Sequence, residues 1–318
     1  MNSHFPVPQE ELVSRYKRTQ ELLKENGVDG LLILQNMDLF YYTNSIQTYA
    51  AYLPVEGEIL VFYKKAREKI QQDCPLELYP VRSYKDIPAV ITEKGYPLPK
   101  KLGLEYDVVP VKVYERVMKS FPGVIDTDES DSIKKTRMIK SEFELDILRE
   151  AGKMNQEVFS ILPQILKPGI TESEAAREIE YLFRKKSHLG PTRMRAFNHE
   201  LFFGHVLSGT HALTKTTFNS PLGGNGLHPA FGYGASQKVI EKNETVVVDY
   251  VSNYNGYHVD TTRTCAIGKI SSVLEKHFIN LEQIFSYTIS LIRPGINCKE
   301  VYQRVIEYVK EHKLESYF

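Results

Sequence analysis

The chain has 318 residues, 42% of them hydrophobic and 25% charged, which suits a folded globular protein with room for two cores. Lysine plus arginine equals aspartate plus glutamate at 40 each, so no net field recruits nucleic acid or an anionic membrane. Cys74, Cys265 and Cys298 are odd in number and lack ligand-like spacing, the first residues contain no apolar core of signal-peptide length, and no apolar run is long enough to span a bilayer, so a cytoplasmic protein is expected.

Pro8 opens a predicted helix with Gln9, Glu10 and Glu11 in its first turn and Leu12, Tyr16, Leu22 and Leu23 along one stripe, and Gly27 is placed to end it. Leu31 to Leu34, Glu58 to Tyr63 and Leu102 to Tyr106 read as strands, and Val111 to Met118 as a helix. These elements predict a small α/β domain over residues 1–125. The polar, acidic stretch DTDESDSIKK at 126–135 reads as a linker to a second domain over residues 136–318. In that domain Ser141 and Glu144 fit a capping box, with Leu145, Leu148, Ala151 and Met154 at helical spacing behind it, so a long amphipathic helix is expected from Met138 to Asn155.

An internal repeat follows. Lys167-Pro168-Gly169-Ile170 precedes Glu174 and Ile179-Glu180-Tyr181, and Arg293-Pro294-Gly295-Ile296 precedes Glu300 and Ile306-Glu307-Tyr308. Each copy is a turn that launches an amphipathic helix, and a further predicted helix from Val273 to Ile292 leads into the second. Between the copies lies a turn-rich segment with several histidines and the glycine-rich run LGGNGLHPAFGYG. That run lacks the Lys-Ser or Lys-Thr of a phosphate loop, so its glycines serve either close approach of backbone to a substrate or a flexible loop.

Residues 245–264, TVVVDYVSNYNGYHVDTTRT, carry the chemistry. Val246 to Val248 form a β-branched run that delivers Asp249 to a rim, Asn253, Asn255 and Gly256 read as a tight turn, and a second strand brings up Asp260. Two carboxylates set side by side repel unless a cation sits between them, and oxygen ligands suit divalent ions. His258, lying between the two aspartates, is expected to point away from them.

Asp249, Gly256-Tyr257, Asp260 and Thr262-Arg263-Thr264 resemble the D…GY..D.TRT signature of the M24 pita-bread metallopeptidases, which include Xaa-Pro aminopeptidases, prolidases and methionine aminopeptidases. One departure is Val251, where a glycine is usual. The amino-terminal part resembles the creatinase-type domain of the aminopeptidase P and prolidase branch, with Thr43-Asn44-Ser45 where a TG pair is common. The resemblance implies an α/β amino-terminal domain followed by an α+β pita-bread domain built as a pseudo-twofold repeat. It implies two divalent metal ions (Mn, Co, Zn or Fe) ligated in part by Asp249 and Asp260, and metal-dependent hydrolysis of the amino-terminal bond of a peptide substrate, above all before proline. It further implies a homodimer, with neither nucleic acid nor membrane as partner.

Family members also place a histidine upstream of the first aspartate, against the substrate, for proton transfer. His228 is the first candidate, although its spacing to Asp249 is a few residues long; His205 is the second, and His211 and His199 follow. The family's remaining ligands, a histidine and two glutamates, together with an active-site histidine, have no counterpart here, because the second copy of the repeat runs out at Phe318. A chain truncated within its second half is therefore expected. Two alternatives stay open: a non-catalytic pita-bread module that binds peptides or a protein, and a metal-free creatinase-like hydrolase, which has no reason to keep both aspartates.

Overall fold

The computed structural model describes residues 7–193, 195, 200–201, 203–217 and 222–315, without side chains at 200 and 201. Two compact units divide the chain: one comprises Met1–Lys153, Leu189–Phe202 and Asn253–His258, and the other Met154–His188, Phe203–Ser252 and Val259–Phe318.

The first unit contains, in chain order, α1 (Gln9–Glu25), β1 (Gly30–Ile33), α2 (Asn36–Thr43), β2 (Ala50–Pro54), β3 (Leu60–Tyr63), α3 (Arg67–Asp73), β4 (Leu78–Pro80), α4 (Ile87–Glu93), β5 (Lys101–Leu104), α5 (Val111–Met118), β6 (Ile125–Asp128) and α6 (Ser130–Met138). The strands form one six-stranded mixed sheet in the order β4-β3-β2-β1-β5-β6. β1 is antiparallel to β2 and parallel to β5. Successive residues of β1 point to opposite faces. Leu31 and Ile33 join a core with Leu12, Tyr16 and Leu23 of α1 and Ile133 of α6, while Leu32 joins another with Ile87 and Ile91 of α4 and Val117 of α5. Both faces are thus covered, as parallel pairing requires. At the start of β1, a Cβ on Gly30 would lie 2.4 Å from the Tyr52 hydroxyl, so the tyrosine ring occupies the room a side chain would need.

The stretch expected as a linker at 126–135 is instead β6 and α6. Its acids are consumed by local bonds: the hydroxyls of Tyr106 and, at 2.9 Å, Tyr114 donate to Asp126, and Asp128 accepts the Ser130 amide at 3.0 Å. Ile133, meanwhile, is fully buried. Polarity here marks a strand edge and a helix start. β2 and β4 were also unforeseen.

The long helix α7 (Glu142–Phe159) starts later than the expected Met138, because Ser141 caps it: the Ser141 amide donates to Glu144 at 2.9 Å and the Glu144 amide to Ser141 Oγ at 3.2 Å. α8 (Leu162–Ile165) and α9 (Glu172–Lys185) follow, then β7 (Thr192–Arg193) and β8 (Glu200–Leu201), which pair in the first unit. The second unit holds a three-stranded sheet in the order β11-β10-β9, made of β9 (Gly204–Ser208), β10 (Glu244–Tyr254) and β11 (Tyr257–Ile267). Ile179 and Phe183 of α9 are fully buried, and Phe183 stacks on Tyr250 of β10 with ring centres 5.5 Å apart. α10 (Ser272–Leu291) and α11 (Cys298–Glu311) complete the described chain and share a core of Ile284, Val305, Val309 and Leu314.

The repeat read from sequence has a structural counterpart. Gly169 (φ 96°) and Gly295 (φ 84°) both adopt the left-handed conformation just ahead of α9 and α11, which have 14 residues each. Among the described residues no helix is long and apolar enough to cross a membrane.

Candidate metal centre

β10 alternates from Val246 to Val251. Val246, Val248 and Tyr250 are fully buried, while Val247, Asp249 and Val251 face the other way and are half-buried. The hairpin turns at Asn255 (φ 48°) and Gly256 (φ 82°), the pair of positive φ values that a two-residue turn between twisted strands demands. β11 then returns alongside β10, carrying Asp260 and Thr262. The two-residue period of a strand gives His258 the same side of β11 as Asp260, so the expectation that it points away fails on simple pleat geometry.

Asp249 and Asp260 meet. The Asp260 carboxyl is pushed up to about 6, first by desolvation and then by the Asp249 charge beside it. Thr262 Oγ1 donates to Asp249 Oδ1 at 2.7 Å. On the other side, Asp249 lies directly opposite His205 in the antiparallel pairing of β10 with β9. His205 is 4% exposed; burial pushes its pKa down, and the nearby Asp260 charge only partly opposes this, so the imidazole is neutral near pH 7. Its Nδ1 is buried and has no hydrogen-bond partner among the described residues. Leaving such an atom unpaired costs about 1–3 kcal/mol, which a fold keeps where the group has work to do.

The other candidates sit elsewhere. His228 is exposed in a tight turn, where its Nδ1 accepts the Ala230 amide at 3.1 Å and its carbonyl accepts the Phe231 amide at 2.9 Å. His211 is buried, with Nδ1 2.7 Å from Glu172 Oε2. His199 lies outside the described residues. The signature contains Thr262 without giving it a role, and its position two residues after Asp260, on the same face of the strand, is the sequence signal for one.

Two neighbouring carboxylates beside a neutral imidazole form a donor set that suits a divalent cation. A cation between them relieves their repulsion. Among the described residues, however, no group of three His, Cys, Asp or Glu side chains closes into a complete metal-holding cluster.

Residues 146–318 match the model of metallopeptidase family M24. The chain belongs to that family. Residues 15–139 match the creatinase/prolidase N-terminal domain. The protein therefore joins a creatinase-type α/β domain to an M24 pita-bread domain, and its family is one whose chemistry rests on divalent metal ions. Among similar proteins, the uncharacterized peptidase YqhT of Bacillus subtilis is 24% identical over 312 residues, which cover 96% of this chain and 79% of that one. The Xaa-Pro dipeptidase of Pyrococcus furiosus is 22% identical, covering 96% and 79%. Among solved structures, an Xaa-Pro dipeptidase from Bacillus anthracis superposes with a TM-score of 0.76 at 22% identity, over 95% of this chain and 78% of that one. The prolidase of Pyrococcus horikoshii OT3 also gives 0.76, at 20% identity, over 96% and 80%. At such identities the structural matches speak for the fold.

Proposed function

We propose that this M24 protein is a metal-dependent peptidase that cleaves the amino-terminal peptide bond of Xaa-Pro substrates, in the manner of a prolidase or Xaa-Pro aminopeptidase. The single observation that carries the reading is the approach of Asp260 to Asp249, close enough for the Asp249 charge to raise the Asp260 carboxyl, with the neutral His205 opposite Asp249. The Xaa-Pro dipeptidases among its relatives and the creatinase/prolidase amino-terminal domain support the proline-directed branch.

In this reading Asp249 and Asp260 hold divalent metal, two ions drawn from Mn, Co, Zn or Fe in a full family site. When bound, such ions supply Lewis acidity toward a carbonyl and lower the pKa of water. Thr262 orients the Asp249 carboxylate through its hydrogen bond. His205, neutral and opposite Asp249, is the upstream histidine that this reading assigns to proton transfer at the substrate. His228 is spent on its own turn. We further propose a cytoplasmic protein, on the balanced charge and the cysteine usage, and a homodimer, on the family resemblance.

The test combines metal titration by calorimetry with hydrolysis of Ala-Pro and Ala-Ala in the presence of Mn, Co or Zn. Metal binding should fail in Asp249→Asn and in Asp260→Asn, and turnover should favour Ala-Pro. Undiminished binding in both variants, or a preference for Ala-Ala, would sink the reading.

A further inference from the structure

The glycine-rich run and the buried Glu172–His211 pair take no direct part in the chemistry above, yet hydrogen bonds join them to one another and packing joins the run to His205. Glu172 stands fully buried at the first position of α9. It accepts the Ser208 amide at 2.7 Å and Oγ at 2.9 Å, the Ser236 amide at 3.1 Å and Oγ at 2.9 Å, and His211 Nδ1 at 2.7 Å. On the far side of the ring, His211 Nε2 accepts the Asn225 amide at 2.7 Å, so the ring proton sits on Nδ1 and points at Glu172.

Asn225 is the centre of a short clamp. The Gly234 amide donates to the Gly223 carbonyl at 2.7 Å and the Gly226 amide to the Gly234 carbonyl at 3.1 Å, so residues 223–226 grip Gly234 from both sides. Gly234 has φ +88°, and a Cβ placed on it would lie 2.9 Å from His205 Nδ1. Bare backbone therefore packs against the edge of the imidazole. Since that Nδ1 has no hydrogen bond among the described residues, this edge of the ring is held by packing alone. The wall formed by Gly234 is only as firm as the clamp, and the clamp is tied to His211 through the Asn225 amide and to the Thr214 carbonyl through the Gly224 amide at 3.4 Å.

We propose that Glu172 and His211 are positioning residues: through the Asn225 amide they fix the Gly223–Gly234 loop, whose backbone at Gly234 sets the orientation of the His205 ring opposite Asp249. The proposal rests on the reading of His205 as a member of the site. The glycines of this loop thus serve a close approach, made to the protein's own histidine.

The test reads the His205 ring directly in metal-free protein, from its Cε1–Hε1 signal in carbon–proton correlation spectra, assigned by its loss in His205→Asn. In His211→Leu, which can neither donate to Glu172 nor accept from Asn225, the signal should shift. In His211→Gln, whose amide can do both, it should return toward the parent position. Gly234→Ala leaves the Glu172–His211 pair intact and pushes on the ring from the other end, so it should shift the same signal; it decides the matter should His211→Leu fail to fold in a thermal melt. An unmoved His205 signal in folded His211→Leu or in Gly234→Ala overturns the proposal. With metal and Ala-Pro, kcat should fall about tenfold in His211→Leu with KM little changed, as expected when a reacting group is misplaced and substrate binding is kept. Because the spectra need neither metal nor substrate, an inactive parent whose His205 signal still responds would remove the peptidase reading and leave the positioning role standing.

Discussion

Thr262 Oγ1 donates a 2.7 Å hydrogen bond to Asp249 Oδ1 across the β10–β11 hairpin. The bond occupies one lone pair of that carboxylate and fixes the direction of the rest. Thr262→Val keeps the β-branched shape and loses the donor. Divalent-metal affinity should then fall by about tenfold or more, as for other groups that orient ligands, with little change in the thermal midpoint of metal-free protein. Equal affinity by calorimetry would show that Thr262 orients nothing.

Glu180 of α9 offers a test by pH. Partial burial raises its carboxyl to about 7, and Arg184 only partly counters this. A raised folded pKa means that the folded state holds the proton more tightly than the unfolded chain does. Stability from this group is complete below the ordinary carboxyl range, falls as pH climbs from there to about 7, and is flat above. Glu180→Gln removes the loss. In urea melts the variant should match the parent near pH 4 and exceed it by about 1 kcal/mol at pH 8, a figure reduced for the group's partial exposure. A constant difference across that range would rule out the buried acid as the cause.

Arg195 is held by the first unit through three acids: Asp38, Asp107 at 2.8 Å, and Glu105 at 3.7 Å. Asp38 and Glu105 are fully buried, and burial together with the Asp38 charge keeps the Glu105 carboxyl far above the usual range. Arg195→Met strands these acids, and breaking such a cluster costs about 3–5 kcal/mol. The deficit should deepen from pH 5 to pH 8 as the acids lose the option of staying protonated. A loss that did not change with pH would place the Arg195 contribution in packing.

Thr171 caps α9: its Oγ1 accepts the Glu174 amide at 3.1 Å, and its own amide donates to Glu174 Oε2 at 2.8 Å. Thr171→Ala should lower stability by about 1 kcal/mol, readable as a shift in the urea midpoint. No shift would mean that water replaces the cap without loss.

The parts of this molecule that sequence disclosed are those fixed by local rules. Val111–Met118 is helical from end to end as read, Ser141 and Glu144 form their capping box, and the Asn255-Gly256 turn sits where its dihedrals require. β2 was missed because Ala-Ala-Tyr-Leu-Pro has no β-branched residue; it becomes a strand by lying between β1 and β3. β6 was missed because its acids looked like a linker's until Tyr106 and Tyr114 turned out to bond one of them. At the site, spacing along the chain singled out the aspartates, since one hairpin carries both. It ranked His228 above His205 because distance in sequence says nothing about which strand pairs with β10. The β9–β10 register, joining residues far apart in the chain, put His205 opposite Asp249.

The approach of Tyr52 to Gly30 bears on how the amino-terminal sheet chooses a single alignment. Leu31, Leu32 and Ile33 are all apolar, so sliding β1 by one residue would swap the two cores and bury as much oil as before. Water-avoidance is blind to that error. Steric shape is not: a slip would bring Leu31 under the phenol ring of Tyr52, where only a hydrogen fits. One missing side chain thus acts as the index mark of the sheet, and a larger residue at position 30 should produce mixed alignments of β1 before it produces an unfolded domain.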